Sequence, residues 1–249
     1  MPDLFAPLLP LLSFAVALLA LYLLSQQVSI RLQQLTYFLT RSEDMMTLVL
    51  FLVFLPGIII HEGAHWLMAR LLGLKTSKFR VWPKRKGRTI GMGSVSVQAG
   101  GVWRDSLVGL APLLAGTALV TLIAHQIFAA SSLTAAWSRG EWAAGVATLG
   151  QAMQQPDGAL WAYALFAIAN AMMRSASDRE PLKPLLLYIA IAAVLYLFLG
   201  LPASPLTALL DWSTPYLEQL TSALVFTILL DGVIVVILFL LAMIFAPRG

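Results

Sequence analysis

The most informative stretch of the chain is His61-Glu62-Gly63-Ala64-His65, which sets two histidines around an adjacent carboxylate. Two histidines four residues apart lie on the same face of a helix. Neutral imidazole is a good zinc ligand, and a catalytic zinc typically takes three protein ligands and a water. Glu62 is placed to act as general base on that water. The stretch therefore predicts a zinc hydrolase site with His61 and His65 as two of its ligands.

The setting of this motif is a membrane segment. It follows sixteen almost wholly apolar residues, 45–60, and polar groups inside a membrane helix are costly and usually functional. The chain has 249 residues, of which 59% are hydrophobic and 11% charged, whereas a soluble domain carries about 25% charged residues. Cysteine is absent, which excludes disulfides, thiolate metal ligands and a thiol nucleophile. Composition thus predicts a polytopic membrane protein.

The elements that must position the motif are apolar runs long enough to cross a bilayer. We predict an all-α polytopic membrane protein of about six transmembrane helices, at 4–24, 45–72, 107–128, 159–173, 184–201 and 223–245. An amphipathic interfacial helix is expected over 26–41, a helix start at Ser42-Glu43-Asp44 and a loop over 203–218. The corresponding units are 1–44, a core over 45–180 that contains three spans, and 181–249 with two C-terminal spans.

A basic stretch over 75–104 follows the second span. It holds eight Lys and Arg residues and no acid, and its alternating segments 79–82 and 94–98 predict a small β-hairpin. Cytoplasmic loops carry excess Lys and Arg, so this hairpin is expected on the cytoplasmic side of the cell membrane, with both termini there too. The motif would then lie near the cytoplasmic end of its helix. The second and fourth spans would run in the same direction.

A third zinc ligand must come from outside the motif, because two histidines do not make a catalytic zinc site. The candidates within or beside the predicted spans are Asp178, Asp231 and His125. His125 is better explained as an interfacial or helix-packing histidine than as a ligand. An intramembrane carboxylate such as Asp231 should have a partner, for which His125 and Asn170 are candidates.

The order of motifs along residues 45–180 resembles that of the site-2 protease family of intramembrane zinc metalloproteases. A membrane-embedded H-E-x-x-H precedes a basic hairpin, an Ala-Pro step in the next span, and an Asn and an Asp eight residues apart. These motifs are His61-Glu62-Gly63-Ala64-His65, Leu110-Ala111-Pro112-Leu113, and Asn170 with Asp178. The chain departs from the family pattern at Met173, where the family has Pro, and at Arg179, where it has Gly.

The resemblance implies a function for each matching residue. His61, His65 and Asp178 would bind Zn2+, Glu62 would be the catalytic base, and Asn170 would hold the substrate or the oxyanion. Asp231 remains the alternative metal ligand. The implied activity is a zinc metalloendopeptidase that cleaves transmembrane protein substrates near the cytoplasmic side. The expected partners are such a substrate and the lipid bilayer, and no nucleic acid.

Two other function classes stay open at this point. A catalytically silent family member could act as a membrane binding or structural subunit, because the second motif has lost its Pro and Gly. A metal or proton transporter could also use intramembrane His and Asp. A carrier needs several coordinating residues along a path, however, and here they gather at one depth.

Overall fold

The computed structural model describes residues 8–77, 82, 84–86, 89–91, 96–172, 180, 182–202 and 204–245. The helices in these ranges are α1 (Leu9–Thr40), α2 (Glu43–Leu71), α3 (Val102–Gln126), α4 (Ala130–Ser138), α5 (Trp142–Met153), α6 (Gly158–Ala171), α7 (Leu182–Phe198) and α8 (Ser204–Phe245). Two three-residue strands, β1 (Lys84–Lys86) and β2 (Thr89–Gly91), pair antiparallel.

The described helices are those of a membrane protein. By length and composition, α1, α2, α3 and α8 could each cross a bilayer, whereas α6 and α7 are apolar but shorter. The predicted all-α membrane architecture is therefore supported. The described residues contain four candidate spans, whereas six were predicted. The difference lies in the fourth and fifth predicted spans, which correspond to the two shorter helices.

The expected break in the first predicted unit is wrong, since α1 is one continuous helix of 32 residues. The polar residues after the apolar run lie on this helix, and two of their hydroxyls bond to backbone carbonyls. Thr36 Oγ1 donates to Leu32 O at 2.8 Å, and Ser25 Oγ donates to Asn170 O at 3.2 Å. Hydroxyls bonded in this way are satisfied without leaving the helical conformation, so polar residues alone do not mark the end of a helix.

The predicted loop over 203–218 is also wrong, because α8 begins at Ser204 and continues through Pro215 for 42 residues in all. Two hydroxyls in the turn before the proline bond to a carbonyl of the same helix. Ser213 Oγ and Thr214 Oγ1 donate to Leu210 O at 2.9 and 3.0 Å. The carbonyl that Pro215 leaves without an intrahelical donor is that of Asp211, four residues earlier. A proline inside a long apolar helix need not end it.

Only part of the basic stretch 75–104 lies within the described residues. The predicted strand 79–82 falls outside them except for Trp82, and the predicted strand 94–98 is described from Ser96 onwards. The pairing that the structure does contain joins β1 to β2, and an isolated antiparallel bridge joins Thr76 to Val97. The hairpin with its predicted strands stays a prediction.

The helices α2, α3 and α6 form the unit that carries the motif. Tyr163 Oη donates to Leu52 O at 3.2 Å, and the rings of Phe54 and Phe166 stack at 5.6 Å. Since both contacts advance together along α2 and α6, the two helices run in the same direction, as expected for the second and fourth spans. The N-terminal part of α3 packs on the C-terminal part of α2 through Ala69 and Val108, which share one apolar cluster.

A second unit is the pair formed by α1 and α8. The Arg31 guanidinium of α1 lies 5.3 Å from the ring centre of Phe239 of α8. Six residues earlier on α1, Ser25 Oγ donates to Asn170 O, and the Asn170 side chain bonds to Asp231 of α8. These contacts also advance together, so α1 and α8 are parallel. Six alternating spans would place the first and last in opposite directions, so this packing differs from that arrangement.

Candidate metal centre

The helix that carries the motif starts where the sequence predicts. Ser42 is the N-cap of α2, its Oγ accepts the Met45 N–H at 3.3 Å, and Glu43 and Asp44 occupy the first turn. A cap and two acids at this position complement the helix dipole and the first free N–H groups. The helix then continues unbroken through Pro56 to Leu71, so the whole motif lies on regular helix.

The two histidines lie together and are buried. The ring centres of His61 and His65 are 4.9 Å apart with the planes at 84°, and each residue is 9% exposed. Glu62 is also buried, at 7% exposure. Three polar residues withdrawn from solvent on one apolar helix are the arrangement expected of a metal site rather than of a solvated helix face.

His65 is oriented by a backbone carbonyl of the neighbouring helix. Its Nδ1 lies 2.8 Å from Val108 O of α3. A carbonyl oxygen can only accept, so Nδ1 carries the proton and the lone pair of the neutral ring is on Nε2. Zinc-binding histidines commonly donate their second ring N–H to a carbonyl or carboxylate, which fixes the ring and its tautomer.

The carbonyl of Val108 is available to His65 because of a proline. Within α3 that carbonyl would accept the N–H of the residue four positions later, and this residue is Pro112, which has no N–H. The Ala-Pro step of the third predicted span thus supplies the acceptor that orients a motif histidine. Sequence reasoning had identified Pro112 only as part of a family motif, and Val108 not at all.

Close packing at Gly57 brings α6 against the turn of α2 that precedes His61. A Cβ atom at Gly57 would collide with the Ala167 carbonyl and with Ala171 Cβ. Glycine is thus required here for the approach of the neighbouring backbone rather than for a bend. Because α2 and α6 run in the same direction, the end of α6 at Ala171 points towards the level of His61.

The structure places two of the predicted site residues, Asn170 and Asp231, in contact with one another. Asn170 Nδ2 donates to Asp231 Oδ2 at 2.9 Å, and both residues are 0% exposed. Asn170 is therefore the partner of the intramembrane carboxylate. Its amide also donates to Phe166 O at 2.9 Å, so the predicted role in holding substrate has to compete with two internal bonds.

The remaining candidates for a third ligand are Asp178 and His125. Asp178 lies outside the described residues. His125 lies at the other end of α3 from Val108, about 25 Å away at 1.5 Å per residue. Its Nδ1 contacts Thr121 O and its Nε2 contacts Ser222 Oγ, each at 3.0 Å. His125 is thus a helix-packing histidine between α3 and α8.

The described residues supply two of the three protein ligands that a catalytic zinc requires. Two buried imidazoles, one of them oriented by a carbonyl, with a carboxylate on the next residue, suit Zn2+. Within the part of the chain that the structure describes, no third His, Asp, Glu or Cys joins them in a group that could hold a metal ion. A third ligand has to come from outside that part or from a rearrangement of it.

Comparison with known proteins gives no relative. None of the protein-family models, curated proteins or solved structures compared with the chain matches it. The resemblance to site-2 proteases therefore depends on the motifs quoted above and on the site just described.

Proposed function

We propose that the chain is an intramembrane zinc metalloendopeptidase of the site-2 protease type. The observation that carries the proposal is the buried pair His61 and His65, with His65 oriented by the carbonyl that Pro112 leaves without an intrahelical donor. The pairing is specific, because it needs a histidine and a proline at fixed places on two helices. A buried histidine of any role needs an acceptor for its N–H, as His125 has in Thr121 O. The added support here is the second buried imidazole at 4.9 Å and the buried Glu62 beside it.

Asp178 is proposed as the third ligand. The support is the direction of α6. It runs alongside α2, ends at Ala171, which is seven residues before Asp178 in the sequence, and points towards the level of His61. Asp231 is the less suitable candidate, because one of its carboxylate oxygens already accepts from Asn170 and no metal-binding group forms around it among the described residues.

The proposed chemistry assigns one task to each residue. A bound zinc ion would polarise the scissile carbonyl and make water a stronger acid. Glu62 accepts a proton from the attacking water and gives it to the leaving amine. A water path from the cytoplasm to the buried site is required, and a substrate helix must unwind before its carbonyls become accessible. The edge of the basic hairpin, as predicted, could hold the unwound strand by β-addition.

We further propose that the site lies near the cytoplasmic side of a cell membrane. The support is the run of eight basic residues over 75–104, which follows the motif helix directly. The expectation that both termini are cytoplasmic is not supported by the helix packing. The parallel packing of α1 and α8 favours opposite sides for the start of α1 and the end of α8 if both helices cross the bilayer.

The decisive experiment is the substitution Glu62→Gln, assayed on purified protein with a single-span candidate substrate. We expect zinc content to stay at the wild-type level and cleavage to fall by about 10²–10⁴-fold, the usual contribution of a general base. His65→Ala is the matched control that should lose both zinc and cleavage. Equal cleavage by wild type and Glu62→Gln would contradict the protease proposal.

A second candidate function is a catalytically silent subunit that keeps the metal. It is favoured by Met173 and Arg179, which stand where the family has Pro and Gly. The same experiment separates the two functions. A silent subunit would bind zinc in both the wild type and Glu62→Gln and would cleave no substrate in either form.

The assignment of the third ligand is tested by matched amide substitutions, Asp178→Asn and Asp231→Asn. Each removes one negative charge and keeps the size of the side chain. We expect Asp178→Asn to lose most of its zinc and Asp231→Asn to retain it, as measured by elemental analysis of purified protein. The reverse pattern would move the third ligand to α8.

A further inference from the structure

The contact between Asn170 and Asp231 joins three helices at a fully buried point. The two hydrogens of the Asn170 amide are both used, one on Phe166 O of α6 and one on Asp231 Oδ2 of α8, each at 2.9 Å. From α1, Ser25 Oγ donates to the Asn170 backbone carbonyl at 3.2 Å. The donors of the asparagine side chain are therefore fully satisfied by protein.

The acceptors at the same point are not satisfied. Asn170 Oδ1 and Asp231 Oδ1 are both buried, and neither has a hydrogen-bond partner among the described residues. No residue in that part of the chain forms an ion pair with Asp231 either. An ionised carboxylate here would keep a full charge in an apolar interior with one hydrogen bond, which is strongly unfavourable.

A neutral acid removes this difficulty. A protonated carboxyl offers one oxygen as acceptor and one O–H as donor, which is the complement of a carboxamide with its N–H and its carbonyl. We propose that Asp231 is held as the neutral acid and that its Oδ1–H donates to Asn170 Oδ1. Together with the Asn170 Nδ2–H bond to Asp231 Oδ2, this gives a two-point acid–amide pair, in which each of the two unpartnered oxygens satisfies the other.

The acid–amide pair positions the end of α6. Asn170 is the penultimate residue of α6, and the segment 173–179 that carries Asp178 follows directly. The pair fastens α6 to α8 and, through Ser25, to α1, and so fixes the end of α6, from which the chain continues towards Asp178. Asp231 is in this sense a positioning residue and not a metal ligand. This last step depends on the proposed zinc site, whereas the protonation state of Asp231 does not.

The protonation state is tested directly by infrared spectroscopy of the full chain in a detergent without ester groups. At neutral pH we expect the carbonyl stretch of a protonated carboxyl group in the wild type and its loss in Asp231→Asn. Thr227→Val is the control, since it removes another fully buried polar group of α8 whose hydroxyl bonds Ala223 within the same helix. A wild-type spectrum that contains carboxylate bands alone would overturn the proposal.

The positioning role is tested by comparing two substitutions. Asp231→Asn keeps a two-point pair, now between two amides, and should retain wild-type zinc content and thermal midpoint. Asp231→Leu removes the pair and should lower both, and Asn170→Leu should do the same. Zinc loss in Asp231→Asn equal to that in Asp231→Leu would show that the charge is needed and would overturn the proposal. If the wild type binds no zinc, the protease proposal fails while the infrared result still decides on the pair.

Discussion

Two prolines of this protein each leave a helix carbonyl without its intrahelical donor, and a different side chain bonds to that carbonyl in each helix. Pro56 in α2 and Pro112 in α3 each remove the N–H that would bond the carbonyl four residues earlier. In α2 the carbonyl is that of Leu52, and it accepts from the exposed Tyr163 hydroxyl at 3.2 Å. In α3 it is that of Val108, and it accepts from the buried His65 ring at 2.8 Å.

The difference between the two sites lies in the donor that the neighbouring helix presents. A tyrosine hydroxyl fastens one helix to another and does no more. A histidine that donates through Nδ1 has its tautomer fixed, so its other nitrogen is prepared to bind a metal. A proline in a membrane helix is therefore informative about function only when the residue opposite the released carbonyl is known.

The largest effect in this comparison is expected for Pro112→Ala. The alanine N–H would compete with His65 for the Val108 carbonyl, and the histidine would lose its fixed orientation. Changes to such supporting bonds typically weaken metal binding by about 10–100-fold. At the same time the free energy of unfolding should rise, by up to about 3 kcal/mol, because alanine replaces proline inside a helix.

The two measurements for Pro112→Ala are zinc affinity by competition with a chelator and denaturant or thermal unfolding of the metal-free protein. Weaker zinc binding in a more stable protein is a result that general misfolding cannot give. An unchanged zinc affinity would mean that the bond to the Val108 carbonyl does not support the metal site.

Sequence reasoning predicted the parts of this site that depend on spacing within one helix. The pair His61 and His65, Glu62 beside them and the cap at Ser42 follow from a period of 3.6 residues and from cap chemistry. The parallel course of α2 and α6 followed from counting spans. Each of these needs information from one segment of the chain or from the order of segments.

The parts that sequence reasoning missed depend on which residues of different helices face each other. The bond from His65 to Val108, which spans 43 residues, was not predicted. The bond from Asn170 to Asp231 spans 61 residues, and Asn170 was predicted only as one of two candidate partners, beside His125. Neither distance is encoded in a local pattern. The continuity of α1 and α8 was also missed, because polar side chains and a proline locally predict breaks in helices that in fact continue through them.

A smaller effect is expected for Pro56→Ala, the counterpart of the first substitution. The new N–H would bond the Leu52 carbonyl, and the free energy of unfolding should rise by a similar amount, up to about 3 kcal/mol. Zinc affinity should not change, because no motif residue depends on that carbonyl. The same two measurements apply, and a loss of zinc binding as large as in Pro112→Ala would contradict the distinction between the two prolines.

The smallest effect is expected for Tyr163→Phe, which removes the donor and keeps the ring. Interhelical hydrogen bonds in membrane proteins contribute about 0.6 kcal/mol on average, so we expect a loss of that order in the free energy of unfolding and no change in zinc affinity. The loss should depend on Pro56. In the Pro56→Ala background the Leu52 carbonyl has an intrahelical donor, so Tyr163→Phe should cost less there than in the wild type. A double-mutant cycle measures this coupling directly. If the two changes were additive, the hydroxyl of Tyr163 would not be compensating for the proline, and the parallel with His65 and Pro112 would fail on the α2 side.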